Sequence, residues 1–284
     1  MRYIAVLLSI FSCTTLSAQE VGNESLEAYE FFAEAIESFR DKDFSKSIDM
    51  YTYALEVNPT YKKALYNRGN AKLVTRDYKG AIADFEEVID LDPQFAKAHL
   101  YKGYALMQLG DDERAILYML RSVEIDPSLT KAYINLGNIE MKKKNYHAAI
   151  REFSDALRLQ SNLPSVHYNR GLCYQKLGQI GKSISDFDRA VGENTSYVPA
   201  YRARAKAYLQ TEEYQRAIAD LSYVIRKNPD DADMYYYRGF AKSVIGDLNG
   251  AYTDYKASTS ITSDHEGSVK NMALVSFDLG LYEQ

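Results

Sequence analysis

The sequence predicts an all-α protein built from helix pairs stacked in tandem. Three observations carry that prediction. Gly69, Gly103, Gly137 and Gly171 stand 34 residues apart, and Gly239 follows at twice that interval with Ala205 at the step between. Ala81, Ala115, Ala149, Ser183, Ala217 and Ala251 keep the same period twelve residues later. Pro59, Pro93, Pro127 and Pro229 share a third phase. A period of this length marks a repeat array, in which each unit buries its apolar face against its neighbours.

The chain opens with residues that read as an address. Arg2 precedes the apolar run Ile4 to Phe11, and Leu16-Ser17-Ala18 ends in a small residue before polar Gln19. That order is the pattern of a secretory signal peptide, expected over 1–18 with cleavage after Ala18. The run falls far short of the roughly 20 residues of a spanning helix. A rival reading makes Cys13 the lipidated first residue of a lipoprotein. Bulky Phe11 sits badly in that motif, so simple export is favoured. With only Cys13 and Cys173 in the chain, a disulfide framework is excluded.

After a short segment, 19–27, seven blocks tile without insertion: 28–61, 62–95, 96–129, 130–163, 164–197, 198–231 and 232–265. A partial eighth copy over 266–284 predicts one more helix, roughly Ser268 to Leu279. Each block reads as two helices. In the second block Ala64–Thr75 and Lys79–Leu91 carry apolar residues at helical spacing, with a turn at Arg76-Asp77. Gly110-Asp111, Gly178-Gln179 and Gly246-Asp247 occupy the same turn elsewhere. Proline closes four blocks, where a helix must stop. Gly69 and Ala81 fall where two antiparallel helices cross and need small residues. Tyr51, Phe85, Met119, Phe153, Phe187, Leu221 and Tyr255 share one phase of the second helix and form the expected core stripe.

The repeat resembles the tetratricopeptide repeat (TPR). The match runs from Ala64-Leu65-Tyr66-Asn67-Arg68-Gly69-Asn70-Ala71 through Asp77-Tyr78, Ala81-Ile82 and Phe85 to Asp92-Pro93. Ser161, Thr195 and Ser263 replace the closing proline, and Ala35 replaces glycine in the first block. The resemblance implies a right-handed α-solenoid whose first helices line a concave groove. It implies binding of proteins or peptides and no catalytic activity of its own. An array of this kind also calls for a polar last helix as a cap. Members that grip a chaperone C-terminus need Lys and Asn, then Asn, then Lys and Arg. Here Tyr66, Asn70, Tyr101, Lys131 and Asn135 stand at those places, so that clamp is absent.

Other chemistries find no support. A net charge of −5 speaks against nucleic acid. No later apolar run could form an integral membrane span. The chain has no HExxH, phosphate loop, GxSxG or CxxC motif, so no catalytic residue, metal ligand or cofactor is expected. His99 and His167 share a phase two blocks apart, and Cys173 holds a small core position filled elsewhere by Ala71, Ala105 and Ala207. Arg68, Arg170, Arg204 and Arg238 share a phase, and Asp84, Asp186, Asp220 and Asp254 follow sixteen residues on in the same four blocks. Their joint occurrence reads as a salt bridge within each hairpin. The other blocks pair Glu34 with Met50, Lys102 with Tyr118 and Leu136 with Glu152.

One face of the first helices is the candidate site. It comprises Tyr66, Asn67 and Asn70; Tyr101 and Tyr104; Asn135 and Asn138; Tyr168 and Asn169; Arg202 and Lys206; and Tyr236 and Tyr237. An Asn amide both donates to and accepts from a peptide bond, which suits an extended chain of any sequence. Tyr adds contact area at low entropic cost. Arg202 and Lys206 make a small basic spot. The expected function is an exported scaffold, in the periplasm or secreted, that holds a protein or peptide segment. The alternative is a structural subunit or lipoprotein of an envelope assembly that uses its convex face or its ends. Self-association stays open.

Overall fold

The computed structural model describes residues 26–281, which fold into fifteen helices with no strand among them. The segment read as an export signal, with Cys13, lies outside the described residues. The first hairpin pairs α1 (Leu26–Arg40) with α2 (Phe44–Val57), the second α3 (Lys62–Val74) with α4 (Tyr78–Leu91), and the third α5 (Ala96–Gln108) with α6 (Asp112–Ile125). Then come α7 (Thr130–Lys142) and α8 (Tyr146–Leu159). The last three hairpins are α9 (Pro164–Lys176) with α10 (Ile180–Glu193), α11 (Val198–Gln210) with α12 (Tyr214–Lys227), and α13 (Ala232–Val244) with α14 (Leu248–Ile261). A final helix, α15, spans Glu266–Asp278. The chain divides into two compact units between Ile139 and Glu140.

One local device ends every first helix. Lys42, Arg76, Gly110, Lys144, Gly178, Glu212, Gly246 and Gly280 all have positive φ, between 61° and 85°, at 34-residue intervals. A left-handed residue reverses the chain so that the next amide can bond backward across the helix end. Thus the Asp77 amide donates to the Lys72 carbonyl at 2.8 Å, and the Asp247 amide to the Lys242 carbonyl at 2.9 Å. The next residue then starts the second helix. The Asp43, Asp77, Asp111 and Asp247 side chains accept from the backbone amides of Lys46, Gly80, Arg114 and Gly250. These bonds satisfy amides that an uncapped first turn leaves bare.

All seven residues of the expected core stripe are fully buried. They explain the periodic glycines. A Cβ on Gly69 would lie 2.8 Å from the Phe85 ring, and one on Gly171 would lie 2.6 Å from the Phe187 ring. At Gly103 and Gly239 the carbonyls of Ala115 and Ala251 press in as well, at 3.0 and 3.3 Å. The glycines therefore leave room chiefly for the partner helix's large side chain, and in two hairpins also for close backbone approach.

The last helix departs from expectation. Its inner face packs on α14 through Val275, Met272 and Leu279, and Ser268 Oγ donates to Ser258 Oγ at 2.7 Å. Gly267 lets α15 approach the Tyr236 ring, which a Cβ would meet at 2.8 Å. The outward face is not wholly polar as a cap requires: Val269, Leu274 and Phe277 are all exposed there.

Candidate functional site

In the first unit, α3, α5 and α7 carry the expected first-helix residues. The Tyr66 ring sits 5.1 Å from Phe95, 6.0 Å from Phe85 and 6.1 Å from Tyr101. Burial pushes its phenol up to about 12. Asn70 lies beside that phenol and is 1% exposed, and Tyr101 is 8% exposed. These two therefore line the core rather than a binding surface, a correction to their assignment. Aromatic crowding is the reason: three rings gather where the sequence places a face open to a partner. Asn67, Tyr104, Asn135 and Asn138 are half-buried.

The second unit presents its residues differently. On α9, Tyr168 and Asn169 are half-buried, with the Tyr168 ring edge-on to Tyr197 at 5.5 Å and 6.0 Å from Phe187. Burial raises the Tyr168 phenol, and the nearby Arg202 charge partly offsets that. On α11, Lys206 Nζ stands 4.9 Å over the Tyr237 ring of α13, and Tyr237 lies 5.4 Å from Tyr236. Tyr236 in turn packs on Tyr255 and His265, at 6.1 and 5.1 Å. The expected basic spot is smaller than the sequence suggests, because Arg202 is ion-paired with Asp231 at the start of α13. Asn169, Lys206 and Tyr237 remain as amide, ammonium and phenol within reach of solvent.

The periodic arginines are structural, as their joint occurrence with aspartate implies. Arg170 donates from Nε to Asp186 Oδ2 at 2.8 Å and from Nη2 to Oδ1 at 2.7 Å. Arg68, Arg204 and Arg238 hold Asp84, Asp220 and Asp254 in the same way, with contacts of 2.6–2.7 Å. The sequence reading missed the other half of this arrangement. Each remaining Nη1 reaches sixteen residues back, onto the second helix of the preceding repeat: Thr52 at 3.2 Å, Ser154 at 2.9 Å, Asp188 at 2.8 Å and Ser222 at 3.1 Å. One guanidinium thus ties its own hairpin and stitches it to the one before. Those four acceptors also share a 34-residue phase, a signal present in the sequence. Lys102 keeps the geometry with other chemistry, reaching Glu86 at 3.1 Å behind and the Tyr118 ring at 4.3 Å ahead.

The isolated reactive types are likewise structural. His99 Nε2 bonds the Pro93 carbonyl at 3.0 Å, and His167 Nε2 the Ser161 carbonyl at 3.2 Å, each six residues back. His167 Nδ1 lies 3.1 Å from Asp186. Cys173 is fully buried, and burial pushes its thiol up to about 11, so it stays protonated near neutrality. Among the described residues no group of His, Cys, Asp or Glu is arranged to hold a metal, and no helix is long and apolar enough to cross a membrane.

Three family models match. A tetratricopeptide repeat model covers 32–94, 66–129 and 202–241, a TPR repeat model covers 137–178, and a further tetratricopeptide repeat model covers 164–197. No curated protein matches. Among solved structures, the C-terminal part of a TPR repeat-containing protein from Cytophaga hutchinsonii is 18% identical, with a TM-score of 0.71 over 84% of this chain and 98% of that one. A tetratricopeptide repeat protein from Parabacteroides merdae is 18% identical, with a TM-score of 0.60 over 88% and 98%. YrrB, described as a TPR protein with an unusual peptide-binding site, is 22% identical, with a TM-score of 0.62 over 66% and 96%. At these identities the likeness is one of fold.

Proposed function

The chain belongs to the tetratricopeptide-repeat family, and from that premise we propose that it is an exported, non-catalytic scaffold holding an extended segment of a partner protein against the first helices of its second unit. Members of this family serve as scaffolds for protein interaction. The observation that carries the finer reading is the set Asn169, Lys206 and Tyr237 on α9, α11 and α13. All three are half-buried, and Lys206 Nζ lies 4.9 Å over Tyr237. Side chains held in place yet partly open lose little entropy on binding, so a partner gains most of what their contacts offer. The Asn169 amide can pair with main chain without regard to sequence, and Lys206 favours an acidic stretch.

Export rests on the order of charge, apolar run and small residue over 1–18. Mass spectrometry of the mature protein should find Gln19 as its first residue, whereas a lipid-modified Cys13 would replace simple export with anchoring. For the binding face, a photo-crosslinking residue at Asn169 or Tyr237 should capture a partner from the envelope fraction of the host. The same residue at exposed Arg189, on the second helix α10, should not. Equal capture at both places overturns the assignment of the face.

A further inference from the structure

We propose that the second unit selects a partner segment of mixed chemistry: an extended stretch with two large apolar side chains that seat on Phe240 and Val244 of α13, and an Asp or Glu beside them that meets Lys206 and Lys270. This preference rests on the first-helix face being the binding face, and it names what that face takes.

Phe240 and Val244 stand one helical turn apart on α13, on the side that carries Tyr236 and Tyr237. Phe240 takes the phase of Lys206, and Val244 that of Gln108, Lys142, Lys176 and Gln210. Apolar residues thus stand where those repeats are polar. Phe240 is 37% exposed and Val244 49%. Both flanks of α13 are nevertheless covered. On one side Lys206 Nζ of α11 lies 4.9 Å over the Tyr237 ring. On the other, Gly267 of α15 comes so close that a Cβ would lie 2.8 Å from the Tyr236 ring. The opening at Phe240 and Val244 is therefore a feature of the face itself, between two neighbouring first helices. The Tyr214 ring stands edge-on to Phe240 at 6.3 Å and steadies it.

Spacing and charge say what fits. One helical turn sets Phe240 and Val244 about 6 Å apart along α13. Alternate side chains of an extended chain lie roughly 6.6 Å apart on one side, so a segment running along α13 meets both with every second residue. Lys206 and Lys270 flank the strip, and among the described residues neither is paired with a carboxylate. Arg202 and Lys242, by contrast, are held by Asp231 and Asp254. Of the nearby acids, Asp233 is bonded to His265 at 3.2 Å, and Asp278 falls at the phase of Val244. The free positive charge therefore lies beside Tyr237 and Phe240, which places the partner's acid at that end.

Selection of a displayed random-peptide library on the full chain tests this. Enriched sequences should carry large apolar residues at alternate positions next to an Asp or Glu. A labelled synthetic copy of the most enriched sequence, followed by fluorescence anisotropy, should bind Phe240→Asp about tenfold or more weakly. It should bind Lys206→Glu about fivefold or more weakly, and a peptide with Lys in place of its acid should recover that loss. Leu117→Asp, on the exposed surface of α6, should bind as the wild type does, and helix content should be unchanged in all three variants. No enrichment, enrichment of sequences without this pattern, or binding that survives Phe240→Asp would each overturn the proposal. Where such peptides still crosslink at Asn169 or Tyr237, the binding face stands and only its preference falls. Crosslinking at Arg189 alone would sink both.

Discussion

Arg204 grips Asp220 with two parallel bonds of 2.7 Å, from Nε and from Nη2, while its Nη1 holds Asp188 of the preceding repeat at 2.8 Å. The three residues are spaced sixteen apart on three helices, α10, α11 and α12. A planar guanidinium is the one side chain able to serve both carboxylates in fixed directions. The arrangement makes register between successive repeats a matter of directional bonds as well as apolar burial.

Removing one member of such a pair should cost far more than removing the stitch. Asp186 is 4% exposed, so Asp186→Ala leaves the Arg170 guanidinium largely buried without its counter-ion. A loss of about 3–5 kcal/mol is expected. Ser154→Ala deletes one bond from the same arginine and should cost about 1 kcal/mol. Replacing Arg170 and Asp186 together with leucine should cost less than either single replacement. Urea titration of these five variants checks the order.

The paired aspartates should respond to acid in opposite senses. Burial pushes the Asp186 carboxyl up, but the bonds from Arg170 and His167 outweigh it and hold the group below the usual range. Its stabilisation is present above about pH 4 and is lost as pH falls through the lowered folded value. For Asp220, burial and the neighbouring Asp188 charge outweigh Arg204, and the carboxyl is raised. That contribution is present at low pH and is lost as pH rises through the folded value. Asp186→Asn should therefore flatten the acid limb of the stability profile, and Asp220→Asn should cost less at pH 7. Thermal melts between pH 2 and 7 decide it.

At the crossing, Gly171→Leu should be strongly destabilising and Asn169→Ala should not. The Phe187 ring stands 2.6 Å from where a Cβ would be, in a fully buried stripe, so a branched side chain costs about 1–3 kcal/mol or more. Asn169 is half-buried and lies on another side of the same helix. Equal shifts in Tm would mean that the two faces of α9 are exchanged.

The turn positions give a paired test. Gly178 holds φ +71°, so Gly178→Ala should cost about 1 kcal/mol. Arg76 holds φ 65° with a full side chain. Relief of its left-handed strain competes with the added freedom of glycine in the unfolded chain. Arg76→Gly should therefore fall within about 1 kcal/mol of the wild type, on the stabilising side. Denaturant midpoints at constant slope measure both.

The 34-residue recurrence of Gly69, Ala81 and Pro59 determined the helix pairs, the turns and the buried stripe from Tyr51 to Tyr255. Periodicity specifies which residues face one another inside a repeat, and that is local geometry. The ion pairs from Arg68 to Arg238 were legible for the same reason, since sixteen residues span one hairpin. What only the tertiary structure decided is how much of each face stays open. Asn70 and Tyr101 share a phase pattern with partly open positions yet are buried, Tyr101 against the rings of Tyr66 and Phe85 from the preceding repeat. Arg202 spends its charge on Asp231 from the next repeat. Val269 and Phe277 on α15 stand at the positions of buried Leu65 and Leu73 yet are exposed, which their apolar character alone does not tell. Burial depends on the summed bulk of residues brought together from several repeats, and no single period in the sequence carries that sum.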